Sequence, residues 1–287
     1  MLTPHTLISS NIDVLYQKII EEIKIDGTDC TARGLEFREL LFSHLILTNP
    51  RARIIQNPRR KISKKFMIAE FIWIMTGENS VDMISKYNKN MAQFSDDGEI
   101  LYGAYGPRLR NWNGYDQIKG CLKRLQKDSG TRQAVIVILD PARDFLVETK
   151  DIPCNDLLQF FIRENKLHMA TYVRSNDVLL GIPYDIFHWT ILQELFANIL
   201  DVELGEYHHF VGSLHIYKKD FEKLYSCLNF EIPHIDMEKM PKEEDLSILD
   251  RLKLYFFYKN RNTIDLTLLP NSYWKSFVGA LNETNIN

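Results

Sequence analysis

The sequence predicts an α+β fold in which a mixed β-sheet packs against long buried helices. Segments rich in β-branched residues, such as 131–140, have the composition of buried strands. Two other segments, 64–78 and 183–200, are apolar on nearly all sides, which is typical of helices in a protein interior. The strands and helices do not alternate regularly, so a βαβ architecture with a parallel sheet is disfavoured.

Three elements are predicted in the first half of the chain. Residues 11–27 (NIDVLYQKIIEEIKIDG) place apolar side chains at helical spacing and end at a glycine, so they predict an opening helix. Residues 64–78 (KKFMIAEFIWIMTGE) predict a second, buried helix. Residues 131–140 (TRQAVIVILD) predict a buried strand.

The second half begins with a predicted β-hairpin at 157–175 (LLQFFIRENKLHMATYVRS), because two apolar runs flank a polar Glu-Asn-Lys turn. Residues 183–200 (PYDIFHWTILQELFANIL) predict a long buried helix, and residues 205–217 (GEYHHFVGSLHIY) return to a strand. After about residue 218 the pattern is polar and irregular, and it predicts no defined element.

The composition restricts the class of protein. A chain of 287 residues can bury a large core, and the absence of repeats and of Gly/Ser linkers predicts one domain over 1–287. The formal net charge of −3 gives the whole molecule no electrostatic footprint for nucleic acid. No apolar run approaches the roughly 20 residues that a membrane helix needs.

The cellular compartment is predicted from the N-terminus and the cysteines. The first residues lack the charged-then-apolar layout of a signal peptide. Four cysteines lie far apart, without the spacing of a disulfide framework, so we expect reduced thiols. A cytoplasmic enzyme is the resulting expectation.

Cys154, in the segment DIPCNDLLQFF, is the candidate nucleophile. A free cysteine is more often a core residue than a catalyst. Here, however, the segment 174–177 (RSND) follows on the predicted hairpin, Asp185 opens the next helix, and 215–217 (HIY) place a histidine and a tyrosine on one strand face. Because reactive thiols need nearby cations and a partly polar setting, this combination indicates a thiolate beside a phosphate-bearing substrate.

These motifs resemble the thymidylate synthases and their nucleotide hydroxymethylase relatives. The family patterns Pro-Cys-His, Arg-Ser-x-Asp, Leu-Gly-x-Pro-Phe-Asn and His-x-Tyr correspond here to Pro153-Cys154-Asn155, Arg174-Ser175-Asn176-Asp177, Leu180 to Asp185, and His215-Ile216-Tyr217. The segments AEFIWIMTGENSV, YGAYGPRLRNW and SGTRQAVIV resemble further family segments. The resemblance covers about residues 20–218, which leaves a divergent region at about 219–287.

The resemblance implies a thymidylate synthase-like fold and a role for each matched residue. Catalysis would rest on Cys154, Glu70, Tyr105 and Asp185. Substrate binding would involve Arg33, Arg132, Gln159, Arg174, Ser175, Asn155, His215 and Tyr217. Folate binding would involve Asp177, Leu180, Gly181 and Tyr184.

The resemblance also implies the partners and the chemistry. The cosubstrate would be 5,10-methylenetetrahydrofolate, and Cys154 would add to C6 of a pyrimidine nucleotide so that C5 becomes nucleophilic. Glu70 would organise proton transfers through water, and Tyr105 would assist removal of the C5 proton. The implied homodimer would send Arg132 into the neighbour's phosphate site, with Gln133 in place of a second arginine. Arginines around the phosphate would help to keep Cys154 ionised.

Two departures from the family pattern predict that the base is cytosine. Asp185 stands where the family has an asparagine that matches the acceptor and donor of uracil. A carboxyl can instead accept from the amine of cytosine and, when protonated, donate to N3. Asn155 replaces a histidine that serves the network around O4 of uracil. Neutral drift in a true thymidylate synthase is the alternative explanation.

Two further departures predict a hydroxymethyl product. The segment LLPNSYWKSFVGALNETNIN lacks the family's closing tail, and residues 88–93 (NKNMAQ) lack the tryptophan expected beside the exocyclic methylene. Both features would admit water in place of hydride. The expected activity is therefore cytidylate (CMP or dCMP) 5-hydroxymethyl transfer.

Other readings remain open. An ordinary thymidylate synthase acting on dUMP is the first alternative, and a catalytically silent nucleotide-binding relative is the second. The silent relative is disfavoured because Cys154, Glu70 and Tyr105 are all present. A metal centre is not predicted, because His208 and His209 would face opposite sides of a strand with no third ligand at a usual spacing. The sequence does not distinguish ribose from deoxyribose.

Overall fold

The computed structural model describes residues 5–231, 233–260 and 266–282, and it confirms the predicted α+β fold. The strands are β1 (His5–Ser9), β2 (Thr28–Ala32), β3 (Leu35–Leu47), β4 (Val135–Val137), β5 (Asn155–Arg163), β6 (Lys166–Asp177) and β7 (Glu203–Tyr217). The helices are α1 (Ile12–Asp26), α2 (Lys64–Met75), α3 (Val81–Ser85), α4 (Tyr105–Arg110), α5 (Gln117–Lys127), α6 (Pro141–Asp144), α7 (Ile182–Ile199), α8 (Phe221–Tyr225), α9 (Ser247–Asn260) and α10 (Ser272–Gly279). Short 3₁₀ helices lie at Lys89–Phe94, Lys218–Asp220, Leu266–Leu268 and Ala280–Asn282.

One mixed sheet of seven strands organises the molecule. Its order is β1-β3-β7-β6-β5-β4. Strand β2 pairs with the first part of β3, and β1 pairs with the last part. The central strands β6 and β7 are parallel, whereas β5 runs antiparallel to β6 and β3 runs antiparallel to β7. The start of β5 and the ends of β6 and β7 therefore meet at one place, where Asn155 pairs with Val173 and Asp177 pairs with His215.

The two apolar helices form the layer above this sheet. Helix α7 packs on β6 and β7 and contacts α2. Most side chains of both helices are buried on all sides, as the absence of a polar face predicted. Each described helix is either too short or too polar to cross a lipid bilayer.

Most predicted elements are confirmed, and α1, α2, α7, β7 and the β5–β6 hairpin lie close to their expected bounds. The hairpin turns at Glu164 and Asn165, which both adopt the left-handed conformation of a two-residue turn, with φ of 50° and 58°. The prediction at 131–140 was too long, since β4 spans only 135–137. The reason is a bulge in β5, where the Asp156 carbonyl accepts from the backbone N–H of both Ile138 and Leu139.

Strands β1, β2 and β3 were not predicted, and neither were the helices α8, α9 and α10 after residue 218. Strand β3 lacks a clean alternation because Phe42, in the left-handed conformation with φ of 57°, interrupts it. After residue 218, where the sequence predicts no defined element, the structure contains helices that pack against the rest of the core.

A buried ion pair anchors α7. Glu194, which is 2% exposed, binds Arg51 at 2.7 Å and also contacts Arg53, which is fully buried. Burial would raise the pKa of Glu194, but the charges of Arg53 and Arg51 lower the pKa below its ordinary value. The pair ties the segment between β3 and α2 to the helix that carries Asp185.

We predict that Glu194→Ala lowers the free energy of unfolding by about 3–5 kcal/mol, because Arg53 would be left buried without its counter-ion. Urea unfolding followed by circular dichroism measures the change. The control is Glu203→Ala, which removes an exposed carboxylate and should stay within about 0.5 kcal/mol of the wild type. Equal stability of the two variants would show that the buried pair contributes nothing.

Candidate active site

Cys154 lies half-buried at a bend directly before β5. Arg174 holds this bend from the neighbouring strand, since its Nε donates to the Pro153 carbonyl at 2.8 Å and its Nη2 donates to the Ile152 carbonyl at 2.9 Å. The same Nη2 lies 3.7 Å from Cys154 Sγ. The structure thus brings together the cysteine and the arginine that the sequence pointed to.

The electrostatics of the thiol differ from the expectation. Burial raises the pKa of Cys154 above its ordinary value, and this effect outweighs the opposing charge of Arg174. The charges of Asp185, Asp151 and Asp156 raise the pKa of Cys154 further. Arg174, the one arginine among the described residues whose charge lowers the pKa of Cys154, therefore does not offset the effect of burial on the thiol.

Asp185, at the start of α7, is held by two amide side chains. The Nδ2 of Asn176 donates to one carboxylate oxygen at 2.6 Å, and the Nδ2 of Asn155 approaches the other at 3.3 Å. Each amide uses its second hydrogen elsewhere: Asn155 donates to Tyr105 Oη at 2.9 Å, and Asn176 contacts His209 Nε2 at 3.3 Å. Both amide nitrogens are therefore saturated as donors.

Trp189 orients the amide of Asn155, and the Asp185 carboxylate, which can only accept, orients the amide of Asn176. Trp189 donates its indole N–H to Asn155 Oδ1 at 3.1 Å, and an indole nitrogen can only donate. Gly181 leaves the room that Asn176 needs, because a Cβ at Gly181 would lie 2.2 Å from Asn176 Oδ1. The amide oxygens thus face away from Asp185 and the N–H groups face it.

Two carboxyl groups in the site have pKa values that are pushed apart. Burial raises the pKa of Asp185 to about 6, against the lowering effect of the bonds from Asn176 and Asn155. Burial and then the charge of Asp185 raise the pKa of Glu70 to about 8. At neutral pH Glu70 is mostly protonated and Asp185 mostly ionised, a combination suited to acid–base chemistry.

Among the residues that the structure describes, no permanent cation pairs with Glu70. It lies on α2, and the nearest ring nitrogen, His188 Nε2, is 3.6 Å from its carboxylate. His188 Nε2 also contacts the Met67 carbonyl at 3.2 Å, and burial lowers the pKa of His188 to about 3. The imidazole is therefore neutral over the physiological range, and the Glu70 proton remains available for transfer.

Tyr105 opens α4, and its hydroxyl accepts the hydrogen bond from Asn155. Its ring lies 5.9 Å from that of Trp189. Burial, followed by the charges of Asp185 and Cys154, raises the pKa of Tyr105 well above its ordinary value. Tyr105 therefore stays a neutral phenol, and its oxygen has a lone pair that can accept a proton.

The remaining matched residues lie at the ends of β6 and β7. The His215 and Tyr217 rings are 5.0 Å apart and in edge contact, and Asp177 pairs with His215 in the register. Ser175 lies two residues before Asp177 on β6. The Asp177 carboxylate accepts from the Leu179 N–H at 2.7 Å and so closes the turn into α7.

The turn into α7 carries the residues implied in folate binding. Leu180 is 59% exposed, and Gly181 precedes the first residue of the helix. Tyr184 is half-buried, with its ring 5.2 Å from that of Phe66 on α2. The turn thus presents an apolar side chain and an aromatic ring next to the carboxyl of Asp177.

Three predicted substrate residues do not join the Cys154 cluster within one chain. Arg33 is exposed at the turn between β2 and β3, although its charge lowers the pKa of Tyr217 slightly against the larger effect of burial. Arg132 is exposed just before β4, and Gln159 donates to the Arg132 carbonyl at 3.3 Å. Gln133 accepts a hydrogen bond from Arg124 at 2.9 Å. These groups lie at the β4 edge of the sheet or at an exposed turn.

Sequence reasoning missed several members of the site. Asn176 occupies the variable position of the Arg-Ser-x-Asp pattern, so the pattern assigns no role to its side chain. The sequence places His188 and Trp189 only within a helix, and it considers His209 only as a metal ligand on a strand, without a role at Asp185. No local pattern marks these side chains, because each contributes through an element distant in sequence.

A third candidate metal ligand does lie beside His208, contrary to the expectation from spacing along β7. His168 on β6 lies beside Glu206 and His208 of β7, close enough for their ligand atoms to fall within 4.8 Å of one another. The spacing of histidines along β7 could not reveal His168, because His168 lies on a different strand. However, the Glu206 backbone N–H donates to His168 Nδ1 at 3.1 Å, which places the ring hydrogen on Nε2 and leaves that nitrogen without a lone pair for a cation.

Part of the prediction about the closing tail falls on residues 283–287, which lie outside the described residues. The segment expected to carry a tryptophan forms the 3₁₀ helix Lys89–Phe94, in which no residue is fully buried.

Comparison with known proteins gives consistent matches. A sequence model of one protein family, described as thymidylate synthase, matches residues 15–266. The chain is 35% identical over 229 residues to the deoxyuridylate hydroxymethyltransferase of Bacillus phage SP01, which covers 76% of this chain and 60% of that protein. It is 33% identical over 215 residues to the deoxyuridylate hydroxymethyltransferase of Delftia phage PhiW-14, with coverage of 71% and 59%.

A third relative is the thymidylate synthase of Mycoplasma mobile, which is 30% identical over 183 residues, or 61% of this chain and 62% of that protein. The chain thus spans about three fifths of the length of the curated relatives it matches.

We predict that Glu70→Gln makes the protein more stable than the wild type at pH 8 by about 1–3 kcal/mol. An unfolded chain loses the Glu70 proton near pH 4.5, whereas the folded protein keeps it to about pH 8. Wild-type stability therefore falls as the pH rises between these values, and the amide removes this loss. Urea unfolding at pH 5 and pH 8 measures the slope.

The matched control for this experiment is Glu21→Gln, on the exposed side of α1, which should keep the wild-type slope. If Glu70→Gln keeps that slope as well, the carboxyl of Glu70 is ionised in the folded protein at neutral pH and the assignment above is wrong.

Proposed function

Because the chain belongs to the thymidylate synthase family, we propose that it transfers a one-carbon unit from 5,10-methylenetetrahydrofolate to C5 of a cytidine nucleotide 5′-monophosphate, CMP or dCMP, and releases the 5-hydroxymethyl product. The observation that carries the choice of base is the carboxyl of Asp185 between two donor-saturated amides.

The hydrogen-bonding edge of the base supports cytosine. Cytosine presents an amine donor and an N3 acceptor, whereas uracil presents an O4 acceptor and an N3–H donor. A carboxyl with one proton offers an acceptor and a donor in the order that cytosine requires, and a pKa of about 6 makes that proton accessible near neutral pH. Uracil O4 would need a donor, but Asn155 and Asn176 have committed their hydrogens elsewhere.

The proposed chemistry is covalent. The Cys154 thiol loses its proton as Sγ bonds to C6, and C5 then bonds to the transferred carbon as one of that carbon's two bonds to folate nitrogen breaks. Tyr105, whose hydroxyl retains a lone pair, assists removal of the C5 proton through water. As this proton leaves, the second carbon–nitrogen bond breaks, tetrahydrofolate departs, and an exocyclic methylene remains on C5. The oxygen of another water bonds to the exocyclic carbon, and the bond from Sγ to C6 breaks. Glu70 supplies and recovers the protons of these steps.

Water as the final nucleophile is supported by two observations. Two relatives have names that describe hydroxymethyl transfer. In addition, the 3₁₀ helix Lys89–Phe94 contains no tryptophan and no buried side chain. Folate binding is supported by the turn into α7, where Leu180 offers an exposed apolar surface next to the Asp177 carboxyl.

The site also supports a homodimer in which phosphate binding is shared. Arg132 is exposed at the sheet edge and does not reach Cys154 of its own chain, so it is free to enter a neighbouring site. Tyr172, Phe210 and His44 form a half-buried stack across three strands, with ring centroids 4.9 and 4.0 Å apart, and a second copy would cover this stack.

A second candidate is hydroxymethylation of deoxyuridylate, which is what the names of the two phage relatives describe. The test is to incubate the enzyme and methylenetetrahydrofolate with CMP, dCMP, UMP or dUMP separately and to identify products by mass spectrometry. The proposal expects a 5-hydroxymethylcytosine nucleotide. A hydroxymethyluracil product alone would favour the second candidate, and a methyl product with dihydrofolate would indicate a thymidylate synthase.

We predict that Cys154→Ala abolishes turnover while nucleotide binding persists, and that Arg132→Ala weakens both. When the inactive Cys154→Ala variant is mixed with the weakened Arg132→Ala variant, one site of each heterodimer combines intact Cys154 with an intact partner arginine, so activity should rise above that of Arg132→Ala alone. Product formation before and after subunit exchange measures this. Mixing that restores nothing would contradict a shared site, and an active Cys154→Ala enzyme would contradict the covalent step.

We predict that Asp185→Asn shifts the ratio of kcat/KM values from cytosine towards uracil nucleotides by at least about tenfold, since a mismatched buried polar group costs about 1–3 kcal/mol. Activity of the wild type on cytosine should also fall as pH rises through the pKa of Asp185, because the proton that bonds N3 is lost. The variant should lack this step. An unchanged ratio would show that Asp185 only caps the helix and does not select the base.

A further inference from the structure

We infer that His209 is a positioning residue that fixes the Asn176 amide with its N–H towards Asp185 and thereby sets which base the site accepts. This inference rests on the proposed function, because it takes Asp185 to be the group that reads the base. His209 itself is fully buried on β7 and has no access to a substrate.

The proton of His209 is assigned to the far side of its ring, because the Asn176 Nδ2 group that donates to the Asp185 carboxylate also lies against Nε2, which must therefore accept. Nδ1 lies 2.7 Å from Thr171 Oγ1 and 2.8 Å from Tyr207 Oη, and either hydroxyl can accept a hydrogen from it. Burial lowers the pKa of His209 to about 3, so the ring is neutral and carries one hydrogen. With that hydrogen on Nδ1, Nε2 keeps a lone pair that faces Asn176.

This lone pair admits only one orientation of the Asn176 amide. The Nδ2 group donates one hydrogen to His209 and the other to Asp185, at 3.3 and 2.6 Å. A rotated amide would place its oxygen against a lone pair on one side and a carboxylate on the other. In the observed orientation Oδ1 has no hydrogen-bond partner within the described part of the chain, and it occupies the space that Gly181 leaves.

The groups that face Asp185 from the packed elements are otherwise acidic or neutral. They are Glu70 on α2, Tyr105 on α4, Cys154 before β5, and Tyr207 on β7. No cation among the described residues bonds to Asp185. The two amides therefore supply the donors that keep its carboxylate in place.

Two variants separate the roles of the histidine and the amide. His209→Phe keeps a buried ring but removes the acceptor, so the second hydrogen of the Asn176 amide loses its partner, and the Nδ2 group can turn about its bond to Asp185 and offer that hydrogen to the base. We expect the pH midpoint of kcat/KM on cytosine nucleotides to rise by about one unit and the cytosine-to-uracil ratio to fall by about tenfold. Asn176→Leu removes the amide, so the midpoint should rise, but uracil gains no donor, and the ratio measured at a pH below both midpoints should stay that of the wild type.

The matched control is Thr190→Val on α7, which removes a buried hydroxyl bonded only within its own helix and should change neither readout. If His209→Phe does not fold, Thr171→Val removes one of the two hydroxyls that hold the His209 proton, and the midpoint should move in the same direction by less.

Unchanged midpoint and ratio in the histidine variant, or in Thr171→Val where that substitutes for it, would overturn the inference and leave the proposed function intact. A wild-type enzyme inactive on all four nucleotides would overturn both. The inference is supported if the histidine variant shifts both the midpoint and the ratio, whereas Asn176→Leu shifts only the midpoint.

Discussion

The interaction on which the site depends is the pair of amide hydrogen bonds to the carboxylate of Asp185. Asn155 comes from the start of β5, Asn176 from the end of β6, and Asp185 from the start of α7, so three elements converge on one side chain. A carboxylate removed from water without a cation is costly unless hydrogen bonds replace the lost solvation. The amides supply these bonds and also fix the direction in which the carboxyl can meet a ligand.

The two carboxyls of the site lower the stability of the fold, so a structural role does not account for their presence. Two half-buried carboxyls, Glu70 and Asp185, repel each other, and burial raises the pKa of both. Apolar residues on the same helices would be more stable, since α2 and α7 are otherwise almost wholly apolar. Perturbed carboxyls of this kind concentrate at functional sites. The destabilisation is consistent with a requirement for protons near a bound base.

The parts of the fold with strong periodicity were predictable, and the parts that depend on distant partners were not. α1, α2, α7 and the β5–β6 hairpin follow from apolar spacing and turn residues. β3 did not, because Phe42 breaks its alternation, and the network behind Asp185 did not, because Asn176 and His209 meet only through the parallel pairing of β6 and β7. The local motif around Cys154 pointed to Arg174, whereas the net effect of burial on the thiol pKa required the packed structure.

The most direct measurement of base selection is a competition experiment. Equal concentrations of dCMP and dUMP, or of CMP and UMP, are supplied with limiting methylenetetrahydrofolate near neutral pH, and the ratio of the hydroxymethyl products is measured by mass spectrometry. If a donor-saturated carboxyl reads the base, 5-hydroxymethylcytosine nucleotide should exceed 5-hydroxymethyluracil nucleotide by at least about tenfold. An equal yield, or an excess of the uracil product, would contradict the role assigned to Asp185.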